Sequence, residues 1–185
     1  MTSTSQTPNI SEIYVNLQKK VDTQFQNLFQ KHQSSMACTQ GCHGCCLPNL
    51  TVSRIEADTI HRYLNQPSIN LVSILDLETQ NPHQNTRCSF LDGQGECSIY
   101  DARPLVCRSH GVPHMIQINR KQEGLDVCEL NFMNGFETLE AGDWIHLETL
   151  NFLLGLINQK LGEEGNDRFP LQASILHSIT PVSIP

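Results

Sequence analysis

Four cysteines fall within nine residues, Cys38-Thr-Gln-Gly-Cys42-His-Gly-Cys45-Cys46, and four more follow singly at 88, 97, 107 and 128. Two glycines in that opening stretch exclude a regular helix, since each costs about 1 kcal/mol against alanine in a helix interior. It reads instead as a knuckle loop whose backbone can bend around an ion. Cys42 and Cys45 form a C-x2-C pair, the commonest way to offer two thiolates to one metal. The adjacent Cys45 and Cys46 carry a different signal. Neighbouring side chains project in different directions, so this pair suits two metals, or one metal and one free thiol, better than a single tetrahedral ion.

Redox compartment decides how the eight cysteines are read. The first nine residues, Met1 to Asn9, have neither a basic n-region nor an apolar h-region and do not read as a secretory signal. A cytoplasmic location is expected, where thiols stay reduced. Metal ligation is then expected before structural disulfides. A thiol–disulfide oxidoreductase would open a helix with its C-x-x-C after a strand, which Gly44-Cys45-Cys46-Leu47-Pro48 does not fit. The candidate ligands are therefore Cys38, Cys42, Cys45, Cys46, Cys88, Cys97, Cys107 and Cys128. They allow two zinc ions on four thiolates each, or one [4Fe–4S] cluster with zinc or free thiols on the remainder.

Charge adds a requirement. Ionising all eight thiols would carry the formal net charge from −7 to −15, and two divalent ions would return it only to −11. Cationic support is needed, and Arg87, Arg103 and Arg108 lie close in sequence to Cys88 and Cys107. Guanidinium groups suit hydrogen bonding to thiolate. The alternative for these arginines is ordinary ion pairing with Asp92, Glu96 or Asp101. His43, inside the knuckle, and His110 and His114, just after Cys107, are further candidates as ligands, the latter two also as proton donors. More often such histidines are solvent-facing or packing residues.

The rest of the chain narrows the classes. A length of 185 residues suits a single domain over 1–185, with an N-terminal helix at 10–33, a cysteine-cluster region at 36–130 and an acidic helical region at 131–185. No apolar run approaches the roughly 20 residues of a membrane span. Residues 122–185 hold 2 basic and 10 acidic side chains, which argues against phosphate backbones as partners. There is no P-loop, no G-x-G-x-x-G, no G-x-S-x-G and no H-E-x-x-H. Asp92-Gly-Gln-Gly-Glu96 lacks the length and ligand alternation of a calcium loop and reads as a turn.

Periodicity supplies the expected elements. Asn9 and Glu12 form a capping box opening a helix whose Tyr14, Leu17, Val21, Phe25 and Leu28 share one face. Ser53 and Glu56 repeat the pattern for a helix through Leu64, and a short helix is expected over 69–78. Residues 1–8 read as a frayed tail and 79–87 as a loop. A β-hairpin is expected at 88–100, a short helix with Pro104 in its first turn, a strand at Met115–Ile118 and a polar turn at 119–125. Asp143 is the expected N-cap of a helix to Leu161, with Leu147, Leu150, Leu154, Ile157 and Leu161 facing the first helix. Residues 171–179 suit a short packed helix. The expected fold class is α+β and mainly helical: a compact, cysteine-rich, metal-stapled domain with two long helices and a small β-hairpin.

The ordered blocks Cys38–Cys46, Cys88-Ser-Phe-Leu-Asp, Gly95-Glu-Cys97-Ser-Ile-Tyr and Arg103-Pro104-Leu-Val-Cys107-Arg108 resemble the YkgJ-like cysteine-cluster proteins. All eight cysteines match that pattern, over roughly residues 36–130, although three residues rather than two separate Cys38 from Cys42. The resemblance implies chelation of zinc or iron, and no particular reaction. Flagellin lysine methylases carry a similar cysteine region with an iron–sulfur cluster in a larger enzyme. The expected function is a metal-binding protein in metal handling, or a metal-dependent accessory. An iron–sulfur enzyme and a zinc-stapled interaction module are the alternatives. The metal ion is the expected partner, with neither nucleic acid nor membrane.

Overall fold

The computed structural model describes residues 9–80 and 87–182. The expected tail at 1–8 and most of the loop at 79–87 lie outside the described residues. Helix α1 spans Ile10–Lys31 and opens with the capping box: the Glu12 N–H donates to Asn9 Oδ1 (2.9 Å) and the Asn9 N–H to Glu12 Oε2 (3.1 Å). Each half satisfies a donor that the first turn leaves without an intrahelical partner. A short strand β1, Thr51–Ser53, runs directly into α2, Arg54–Leu64. Here both the N–H and the hydroxyl of Ser53 donate to Glu56 Oε2. The second carboxylate oxygen, Glu56 Oε1, accepts the Leu105 N–H at 3.0 Å. That bond anchors the start of another helix, so one buried side chain serves two helix N-termini.

Helix α3 is Leu71–Gln80 and α4 is Leu105–Ser109, with Pro104 one residue earlier than expected, at the N-cap. Strand β2, His114–Asn119, pairs antiparallel with β3, Gln122–Asp126, and parallel with β4, Ile145–His146. Helix α5 is Leu147–Gln159, strand β5 is Arg168–Pro170, and α6 is Ala173–Leu176. β5 lies antiparallel to β1, placing Phe169 opposite Val52. The described residues thus form an α+β fold in which helices outweigh strands, with two small sheets.

Two hydrophobic clusters result, and α2 reaches both. Ile55 packs with Tyr14, Val21 and Leu28 of α1 and with Leu150, Leu154 and Ile157 of α5. Ala57, Ile60 and Leu64 face the other way, toward Ile74, Phe90, Ile99 and Leu176. The α1 and α5 stripes meet as their spacing predicts.

Three expectations need correction. Asp143 does not cap α5; the N-cap is His146, without a side-chain bond. Pairing with β2 holds residues 145–146 extended and delays the helix. The Asp143 carboxylate instead receives Lys31 Nζ, His32 Nε2 and the Glu140 N–H. Residues 119–125 are not simply a turn. Their second half is the strand β3, whose polar, mostly exposed sequence has no alternation to reveal it. The expected hairpin at 88–100 reduces to one bridge, Leu91 with Cys97, around a turn in which Asp92 Oδ1 accepts the N–H groups of Gln94 and Glu96. Its arms give way to a 3-10 turn at Tyr100–Ala102 before a ladder can extend.

Candidate metal centre

Loops and one short helix carry the thiols. The opening segment is folded by two tight bonds, Cys42 N–H to Thr39 O (3.0 Å) and Cys46 N–H to His43 O (2.9 Å). Gly41, at φ +80°, takes the left-handed conformation this path requires. The second segment docks through a backbone bond from Cys88 N–H to Cys46 O (3.0 Å). His43 lies between the two turns. Its Nδ1 is 2.9 Å from Gly41 O, and a Cβ on Gly95 would come within 2.5 Å of that nitrogen. Gln40 Nε2 donates to Glu96 Oε1 at 2.8 Å across the same seam. Cys107 sits one turn into α4, positioned by Pro104 and by the Glu56 anchor.

Cys128 is brought back from the far end of the β2–β3 pair by Asn131. This residue had no signal in the sequence, since nothing distinguishes it from any other loop asparagine. It is 3 % exposed. The Ala37 N–H donates to its Oδ1 at 2.7 Å, and its Nδ2 donates to Gly111 O at 2.6 Å and reaches Cys38 Sγ at 3.3 Å. Gly111 (φ +109°) leaves room here: a Cβ would stand 3.1 Å from Cys38 Sγ. One amide therefore holds the start of the first cysteine segment against the loops after Cys107 and Cys128.

All eight cysteines are free thiols. Their surroundings divide them into two fours. Cys88 lies in the second hydrophobic cluster, and Cys46, Cys97 and Cys107 pack against it. Burial pushes the Cys97 thiol up to about 11 and the Cys107 thiol up to about 12, with a further increment to Cys97 from Cys88 and to Cys107 from Cys88, Cys97 and, across the division, Cys45. Cys38 is raised first by burial and then, against the opposing Asn131 hydrogen bond, by Cys128, Cys42 and Cys45. Cys45 and Cys46 stand where the fours meet, and Cys45 is raised foremost by its hydrogen bond with Cys46.

The arginines separate clearly. Arg103 stacks over the Tyr100 ring at 3.6 Å, and its charge opposes the upward shifts of Cys45, Cys97 and Cys107. Arg108 is engaged with α1 and its own loop: Nη1 pairs with Asp22 at 2.8 Å and Nε donates to Arg103 O. Arg87 Nε is buried without a hydrogen-bond partner among the described residues. His110 and His114 face each other with ring centroids 6.1 Å apart, and burial lowers the pKa of both.

Among the described residues, no group of three or more His, Cys, Asp or Glu side chains is arranged as a metal-holding set. The donor chemistry nonetheless fits a thiophilic ion. The backbone N–H of Phe90 opposes the upward shift of Cys88, and that of Ile99 opposes the upward shift of Cys97. Such donors favour the ionised sulfur that a metal requires. Burial and neighbouring thiols oppose ionisation, so a bound cation is the natural counterweight.

No curated protein and no solved structure matched the chain. Residues 37–129 match the CxxCxxCC family, described as a "Putative zinc- or iron-chelating domain". That segment spans all eight thiols, and with half of the sequence inside the match the chain belongs to the CxxCxxCC family of zinc- or iron-chelating domains.

Proposed function

We propose that the chain acts as one metal-binding unit with two four-thiol sites. Cys46, Cys88, Cys97 and Cys107 form the inner site, and Cys38, Cys42, Cys45 and Cys128 the outer one. The observation that carries this reading is the division of eight free thiols into two environments that meet at an adjacent pair. Four thiolates per site is the donor set of tetrahedral zinc. When bound, zinc would supply fixed positive charge and cross-linking. The protein would keep the sulfurs ionised through Arg103, Asn131 and the N–H groups of Phe90 and Ile99. Arg87 and Arg108 play no part in this assignment. The inner site would staple the loops to the hydrophobic cluster. The outer site, with Cys42 exposed, would be the exchangeable one, which suits metal handling in the reducing cytoplasm.

Metal content per chain tests the reading, on full-length protein purified without oxygen. The expected result is two zinc equivalents and no iron. About four iron atoms per chain with sulfide would overturn the zinc assignment and place a cluster on one of the fours. A single zinc that survives replacement of Cys97 and Cys107 by serine would overturn the two-site division.

A further inference from the structure

His114 opens β2, the middle strand of its sheet. Its backbone lies opposite Asp126 of β3 on one side and Ile145 of β4 on the other. The side chain is only 4 % exposed, yet its Nε2 has no hydrogen-bond partner among the described residues. A buried ring nitrogen without a partner carries a cost that an apolar side chain would avoid. His32, similarly buried, shows the ordinary solution: its Nε2 lies 2.9 Å from Asp143 Oδ2.

His114 faces a second histidine instead. The His110 and His114 ring centroids stand 6.1 Å apart, with the planes at 63°. His110 is the C-cap of α4, and no hydrogen bond holds its ring among the described residues. The segment between the two is pinned. Asn131 Nδ2 donates to Gly111 O at 2.6 Å, Val112 is fully buried, and the Ile145 N–H donates to Pro113 O at 2.9 Å. Fixed backbone therefore brings the rings together.

A carboxylate belongs to the same cluster. Asp126 is the cross-strand partner of His114, and side chains directly opposite on antiparallel strands share a face. Its charge works against the drop that burial causes in both histidines. The net lowering favours neutral imidazole, whose lone pair can bind a metal.

We propose that His110 and His114 bind one divalent transition-metal ion, with His114 Nε2 as the buried ligand and Asp126 as the neighbouring carboxylate. This site is separate from the eight thiols and does not rest on how they divide. Imidazole suits zinc, copper, iron and nickel ions alike. One zinc ion at about 2.0–2.1 Å from a nitrogen of each ring spans the 6.1 Å between centroids. Two nitrogens are fewer than a closed structural site uses, so water completes the shell and the ion exchanges. It is held less tightly than an ion on four thiolates, leaves during purification, and returns when zinc is added.

Proton–nitrogen correlation spectra of the imidazole rings test this, on full-length protein already saturated at its thiols and titrated with further zinc. The His110 and His114 ring signals should shift together and saturate at about one added equivalent. The His32 signal should not move, because its Nε2 is already engaged by Asp143. In calorimetric titration the added equivalent should disappear in His110→Ala and in His114→Phe, and Asp126→Asn should weaken it about tenfold or more. Circular dichroism checks the fold of each variant. His110 is only half-buried, so His110→Ala keeps the test decisive if His114→Phe does not fold. Ring signals at both positions that ignore added zinc overturn the proposal, and so does an added equivalent that His110→Ala leaves intact. The rings report on imidazole alone, so failure here is distinguishable from failure of the thiol reading.

Discussion

The two fours of cysteine differ in what surrounds them. The inner four, Cys46, Cys88, Cys97 and Cys107, lie within or against a cluster that also holds Ile60, Phe90, Ile99 and Leu176. The outer four, Cys38, Cys42, Cys45 and Cys128, are held by turns and one asparagine, and Cys42 is exposed. The same side chain therefore has two physical roles. In the inner four, sulfur is also apolar packing volume, so a lost ligand is a lost piece of core. Around the outer four the supports are polar and local, so a lost ligand leaves the core intact.

The largest expected effect follows directly. Replacing Cys107 by serine should remove one metal equivalent and lower stability by about 3 kcal/mol or more, because it puts a hydroxyl where a buried thiol stood. Cys42→Ser should also remove one equivalent but lower stability far less. Metal analysis and thermal melts on the pair check this, and equal melting temperatures would erase the distinction between the groups.

A second test uses metal-free protein and pH. The Cys97 and Cys107 thiols are pushed from 9.0 up to about 11 and about 12, so the unfolded chain loses these protons before the folded one does. Stability due to them is complete below about 9 and is lost as pH climbs through about 11 to about 12. Denaturation midpoints should fall over that alkaline range, and loading with zinc should flatten the dependence. Unchanged midpoints up to pH about 11 in metal-free protein would contradict inner burial.

Smaller effects sharpen the outer group. Asn131→Ala removes three hydrogen-bonding contacts, to Ala37, Gly111 and Cys38, and should cost about 1–3 kcal/mol while weakening only outer metal. Chelator-competition titration should show one affinity reduced and the other unchanged. Gly111→Ala places a methyl 3.1 Å from Cys38 Sγ at a φ of +109°, and should produce a weaker version of the same selective loss. Gln40→Ala breaks one exposed bond to Glu96 and should change stability by no more than about 0.5 kcal/mol in urea unfolding.

These differences explain what the sequence could show. Both capping boxes and the facing stripes of α1 and α5 are local patterns, written in residues three or four apart, and they were legible. The spacing also suited Cys45 and Cys46 to two metals, or to one metal and one free thiol. Which cysteines stand together was not legible. Cys128 reaches Cys38 only because Asn131 folds back to Ala37, ninety-four positions away. Asp143 was mistaken for a cap because a capping aspartate and one gripping Lys31 and His32 look alike until β4 is paired. Arg103 and Arg108 flank the same short helix, and only tertiary geometry lays one over the Tyr100 ring, where its charge opposes the upward shifts of Cys97 and Cys107, and sends the other to Asp22. The strand β3 was hidden because its polar side chains face solvent.

The position of Cys128 has a consequence in time as well as space. During synthesis the last inner cysteine, Cys107, leaves the ribosome twenty-one residues before Cys128. Closing a long loop costs only slightly more entropy than closing a short one, so the inner four thiols can meet once Cys107 is free, before Leu171, Ala173 and Leu176 complete the cluster around them. The outer four must wait for Cys128 and then for Asn131, the residue that holds its loop in place. On the proposed division, a nascent chain would complete the set of thiols that packs against the core before the set that includes the exposed Cys42.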